Sequence, residues 1–124
     1  VLPAVLIACS LAASPVQVTT SATDEALIRQ LIDAMKDADP DVRGNLANAL
    51  AKIGPASVEP LTTALKDAVA ERRAAAAYTL ALIGSPSRTA LPTLLDLLKD
   101  NDVDVRRQAS YAISKIVPTG GGGR

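Results

Sequence analysis

KDADPDVRGNLANALAKIG (36–54), KDAVAERRAAAAYTLALIG (66–84) and KDNDVDVRRQASYAISKIV (99–117) are one pattern written three times, spaced by 30 and then 33 residues. Each opens on Lys-Asp, and an arginine stands six residues after that aspartate: Asp37 with Arg43, Asp67 with Arg73, Asp100 with Arg106. Repetition at this period is the signature of a solenoid, whose units each hide an apolar face on a neighbour. Within each string the apolar residues recur at helical spacing, giving helices over about 40–53, 70–83 and 103–116. These helices bury Leu46, Leu50 and Ile53, then Ala76, Leu80 and Ile83, then Ala109, Ile113 and Ile116. Asp39 and Asp102 are placed to cap the first and third, with Pro40 at a first helical position, whereas Val69 leaves the middle helix uncapped. Gly54 and Gly84 stand where a left-handed C-terminal residue is wanted, and Pro118 stops the last helix.

Working outward, a second helix precedes each string, over about 24–37, 58–67 and 90–100. The expected buried residues are Ile28, Leu31, Ile32 and Met35, then Val58, Leu61 and Leu65, then Leu91, Leu94, Leu95 and Leu98. Ser57 and Thr89 mark two starts, each three residues before a proline tolerated in a first turn. Three helical hairpins result, at 24–54, 55–84 and 85–117, and the fold class is all-α: an α-solenoid. Composition agrees. With 23 Ala, 16 Leu, 2% aromatic residues and no Phe or Trp, the core is built from small aliphatic side chains at close helix contacts.

The strings DVRGNLANALAKIG (41–54), ERRAAAAYTLALIG (71–84) and DVRRQASYAISKIV (104–117) resemble the second helix of HEAT repeats, closest to the short type of phycobilisome lyase-like proteins. The resemblance covers residues 24–117. It implies that Asp37, Arg43, Asp67, Arg73, Asp100 and Arg106 form a structural ladder, each arginine fork bridging carboxylates of its own and the adjacent repeat. It also implies that the second helices line a concave surface. An anion site on Arg43, Arg73 and Arg106 is the weaker reading, because each has its own carboxylate at a fixed offset.

Several chemistries are excluded. There is no histidine, so His triads, His proton shuttles and His-bearing zinc sites are absent. The single Cys9 forms no intramolecular disulfide and no cysteine cluster. Thirteen basic residues balance thirteen acidic ones, giving no long-range pull on nucleic acid. No catalytic constellation, metal site or cofactor site is legible, and Gly120–Gly123 followed by Arg124 reads as a flexible tail within 118–124 rather than a phosphate loop.

The second-helix positions outside the core pattern are Asp41, Asn45, Asn48 and Lys52, then Glu71, Ala75, Tyr78 and Leu82, then Asp104, Gln108, Tyr111 and Lys115. Each set runs along one helix face. Tyr78 and Tyr111, the only tyrosines, share a repeat position, with rings expected about 10 Å apart, the spacing of packed helices. Asn45, Asn48, Lys52, Tyr78, Leu82, Gln108, Tyr111 and Lys115 are therefore the expected partner-binding residues of a non-catalytic scaffold for a protein or peptide. The runner-up, drawn from the family resemblance alone, is a subunit of a phycobilin lyase-like or redox-associated system.

Residues 1–13, VLPAVLIACSLAA, are apolar and too short to span a bilayer. They resemble the end of a secretory signal, and Leu6-Ile7-Ala8-Cys9 resembles a bacterial lipobox in which Cys9 is lipidated. A truncated repeat helix from Leu2 to Ala13 is the competing reading. Residues 14–23 then form a linker. The expected location is exported or periplasmic, membrane-attached only through a lipid on Cys9, and otherwise cytoplasmic. The last repeat shows no obvious polar capping face, so self-association of the stack ends is expected.

Overall fold

The computed structural model describes residues 22–37 and 39–118. Cys9, the signal-like segment, most of the 14–23 linker and the glycine run lie outside the described residues. Among those described the chain forms α1 (Ala22–Ala34), α2 (Pro40–Ile53), α3 (Val58–Ala64), α4 (Ala70–Ile83), α5 (Leu91–Leu97) and α6 (Val103–Ile116), with 3-10 turns at Gly54–Ser57 and Ser85–Ala90 and no strand. The hairpins α1–α2, α3–α4 and α5–α6 stack side by side as an all-α solenoid. The second helices α2, α4 and α6 pack on one another more extensively than the first helices do.

The second helices span the residues that the periodicity assigns. The first helices stop short, at Ala34, Ala64 and Leu97. The reason is local: Asp37 Oδ1 accepts from the Asp39 N–H at 2.8 Å, Asp67 Oδ1 from Val69 at 2.8 Å and Asp100 Oδ1 from Asp102 at 2.9 Å. Each aspartate thereby offers the backbone a turn in place of another helical bond. Two residues further on, Asp39 Oδ1 accepts from Asp41 at 2.8 Å, and Asp102 Oδ1 from Asp104 at 2.8 Å and Val105 at 3.1 Å. Val69 caps nothing, as expected of a side chain without an acceptor.

At the other end Gly54 and Gly84 have φ of 82° and 81°, with ψ of −137° and −138°. Positive φ was expected; the conformation, however, is the extended mirror region, open essentially only to glycine, and not the left-handed helical one. Ser57 stands at the N-cap of α3, which starts at Val58 as expected, but its hydroxyl makes no capping bond; Thr89 falls one residue early, since α5 begins after Ala90. The buried Ser57 donates to Leu50 O at 3.2 Å, and Ser87 to Leu80 O at 3.1 Å. Each serine ties the turn back onto the end of its second helix, giving a second donor to a carbonyl that already accepts the N–H of the capping glycine, Gly54 or Gly84.

Ile28, Ile32, Met35, Leu50, Val58, Leu61, Leu65, Ala76, Leu80, Leu94, Ala109 and Ile116 are buried as the pattern predicts. Leu31, Leu46, Ile53, Ile83, Leu91 and Ile113 are half-buried. Leu95 and Leu98 depart from expectation, at 53% and 39% exposure, while Leu97 is buried. The equivalents of Leu98, Met35 and Leu65, are fully buried in repeats that are followed by another, and among the described residues nothing follows α6. Ala47, Ala77, Val105 and Ala112 are buried without belonging to the predicted stripe. A helix in a solenoid packs on its hairpin partner and also on a neighbouring repeat, so its buried arc is wider than one amphipathic face. The last repeat also differs from the sequence reading: Arg107, Ser110 and Ser114 are exposed on α6 at the positions of Ala74, Ala77 and Ala81, giving its outer edge a polar face.

Candidate functional site: the groove of the second helices

The groove is made by the N-terminal halves of α2, α4 and α6. Gly44 and Ala74 occupy one repeat position, Ala75 lies beside it, and their small side chains leave open a cavity of about 440 Å³. Its walls are Pro40, Arg43, Ala70 and Tyr78; its acidic rim is Glu71, Asp102 and Asp104, with Gln108 between. A Cβ added at Gly44 meets nothing within 4 Å, so the space is real on the glycine side.

Of the residues singled out from the sequence, Tyr78 and Gln108 line this cavity. Asn45, Asn48, Lys52, Leu82, Tyr111 and Lys115 are exposed but lie outside it. Ala75, one of the positions left outside the core pattern, is buried at 8% exposure. The tyrosine rings stand 6.2 Å apart with planes 19° from parallel, closer than the expected helix spacing. Both lean along the groove into an offset stack, which has its own attraction, and Lys115 Nζ sits 5.4 Å from the Tyr111 ring centre, within cation–π range. The rings therefore do not stand apart to grip a segment between them. Half-buried Tyr78 packs on the core and the 40% exposed Tyr111 covers it.

Sequence reasoning missed Pro40, Gly44, Ala70, Ala74 and Asp102 as lining residues, and gave Arg43 only a structural role. The available signal was the smallness of positions 44 and 74 against Arg107 at the same place in repeat three.

The charged ladder is partly different from the resemblance's implication. Each arginine binds the backbone of its own repeat, not the carboxylate: Arg43 Nη1 donates to Asp37 O at 2.5 Å, Arg73 Nη1 to Asp67 O at 2.8 Å and Arg106 Nη1 to Asp100 O at 2.7 Å. One cross-repeat rung forms. Arg73 Nε and Nη2 donate to the two oxygens of Asp100 at 2.9 and 3.0 Å, with side chains only 17% and 10% exposed. The hydrogen bonds from Arg73 hold the Asp100 carboxyl below its ordinary 3.8, outweighing the upward push of burial. The equivalent rung from Arg43 to Asp67 is absent because Arg72 takes Asp67 at 2.5 Å and reaches Asp33 of α1 at 3.5 Å.

Among the described residues no cluster of three or more His, Cys, Asp or Glu is arranged to hold a metal ion, and no helix is long and apolar enough to cross a membrane. No curated protein matches the chain. The model of HEAT repeats matches residues 28–114, which takes in all three hairpins and both the groove and the arginine rung. With the stacked hairpins and the recurring Asp and Arg positions, that match shows that the chain belongs to the HEAT-repeat family.

Proposed function

We propose that this protein is a non-catalytic scaffold that holds a peptide or a partner protein in the groove of its second helices. HEAT repeats in general serve as protein-interaction scaffolds. The observation that carries the reading for this chain is the cavity between α2, α4 and α6, with an aromatic wall and a carboxylate rim. Glu71 has no ion-pair partner among the described residues, Asp102 is committed to capping α6, and Asp104 pairs with Arg107. A segment that sets a basic side chain against Glu71 and an apolar one on the tyrosine stack suits these walls. The lyase-like alternative gains no support from the groove, which has no cysteine or histidine among its lining residues.

Panning a displayed peptide library on the chain, followed by titration of selected peptides against variants, tests the reading. Gly44→Met fills the cavity from a position with free space and is expected to weaken binding at least tenfold without lowering the melting temperature. Lys36→Ala, on an exposed loop away from the groove, is expected to leave affinity unchanged. Peptides that bind the Gly44→Met protein as well as the parent place the partner elsewhere. Export remains a separate proposal resting on the Cys9 context, decided by the mass of the mature chain.

A further inference from the structure

The two ends of the stack, as the described residues form it, match each other in the way that the two sides of its inner junction do. Inside, where α4 and α6 pack most extensively, Arg73 reaches Asp100 at the entry of α6, and Ala77 and Ala81 of α4 and Val105 and Ala112 of α6 are all buried. At the C-terminal end, α6 turns the equivalent Arg106, Ser110 and Ser114 outward, beside the 53% exposed Val103 and the 39% exposed Leu98. Arg106 spends Nη1 on Asp100 O and Asn101 O, as Arg73 spends its own on Asp67 O and Ala68 O. Its Nε and Nη2, the atoms with which Arg73 holds Asp100, have no partner among the described residues.

At the N-terminal end the complementary parts are Asp37, Val42 and Ala49, the repeat equivalents of Asp100, Val105 and Ala112. Val42 is 37% exposed where Val105 is sealed. Asp37 is an acceptor of the Asp100 kind: one oxygen pins the Asp39 N–H, and five residues on stands a valine. Asp67 has Arg72 at that place, which is why it accepts no rung.

We propose that repeat three of one copy stacks on repeat one of a second copy, head to tail, with Arg106 seated on Asp37 of the second copy. The serines at the junction do not forbid it. Each is one atom larger than the alanine it replaces, and each already satisfies its hydroxyl within α6, Ser110 on Arg107 O at 2.8 Å and Ser114 on Tyr111 O at 2.7 Å. Covering them leaves no donor stranded. Arg107, next to Arg106, is paired with Asp104 of its own helix, so the charge complementarity of the junction rests on Arg106 and Asp37. A junction between two different surfaces is heterologous, and one that continues the stacking of the solenoid adds copies end to end, so the product is an open chain whose length grows with concentration.

Sedimentation equilibrium of the 124-residue chain over a wide concentration range tests this, with two variants that block one end each. Val42→Arg copies the Arg72 arrangement and occupies Asp37; Ser110→Trp puts a bulky ring on the outer edge of α6. Both positions are exposed, and the circular dichroism of each variant confirms folding. The parent is expected to gain mass with concentration, each variant alone to associate at least tenfold more weakly, and an equimolar mixture to stop at twice the chain mass. A parent that stays monomeric throughout overturns the proposal. So do variants that assemble like the parent, or a mixture that remains monomeric.

Discussion

Arg73→Ala is expected to destabilise the fold by about 3 kcal/mol, and Arg43→Ala and Arg106→Ala by about 1 kcal/mol or less, although the sequence gives all three arginines the same setting. The difference lies in what each side chain touches. Arg73 makes two charge-assisted bonds to Asp100, at 2.9 and 3.0 Å, and two to backbone carbonyls, at 2.8 and 3.1 Å. Removing it leaves the carboxylate of Asp100, whose side chain is 10% exposed, with one hydrogen bond, from the Asp102 N–H, and the more distant charge of Arg106. Breaking a buried pair from one side costs about 3–5 kcal/mol, and partial exposure here takes the lower end. Arg43 and Arg106 bind backbone carbonyls at the surface, where water replaces them at about 0.5–1 kcal/mol. Urea unfolding followed by far-UV circular dichroism reads the difference as a shift in midpoint at constant slope. Arg73→Lys is expected to recover less than half of the loss, since an ammonium cannot make the parallel pair of bonds. Equal losses at the three positions, or full recovery by lysine, would refute the account and make the arginines interchangeable parts of a diffuse ladder.

Further expectations follow from single sites. Val69→Asp supplies the missing cap of α4 and is expected to add about 1 kcal/mol, measured against Ala68→Asp as a neighbouring control. The same substitution at two glycines changes sign: Gly44→Ala, inside α2 with open space around it, is expected to stabilise by about 0.5–1 kcal/mol, while Gly84→Ala, at φ 81°, is expected to cost about 1–3 kcal/mol. Asp100 has a folded-state pKa below its unfolded value, so its contribution is complete above the unfolded value of 3.8 and fades as pH falls through the lower folded one; Asp100→Asn should flatten that part of the acid unfolding curve. Tyr78→Ala is expected to cost the fold about 2–3 kcal/mol and Tyr111→Ala about 1 kcal/mol or less, since the first ring packs on the core and the second lies over it; thermal melts of the two variants with reversed order count against the stack as described.

The sequence by itself determined the repeat, the helix type and the limits of α2, α4 and α6. Those depend on information within one turn of the chain: an Asp cap at 39 and 102, a proline at 40, apolar residues every three or four positions, and a glycine at 54 and 84. Even the uncapped start of α4 was legible at Val69. The shorter first helices were not, because Asp37, Asp67 and Asp100 read as helix-end charges while their carboxylates act on backbone N–H groups two residues on.

What only the tertiary structure decided is how neighbours share partners. Three identical Asp and Arg spacings give one cross-repeat rung, since Arg72 outcompetes Arg43 for Asp67 and nothing competes with Arg73 for Asp100. Two tyrosines one repeat apart stack at 6.2 Å rather than standing at helix spacing, because side chains of that length lean toward each other between neighbouring helices. Leu98 is exposed and Leu65 buried on the same pattern position: Leu65 belongs to a repeat that another follows, and Leu98, among the described residues, does not. Periodicity specifies which way a side chain faces from its own helix; its burial, its partner and its charge state depend on what the next helix brings to the same place.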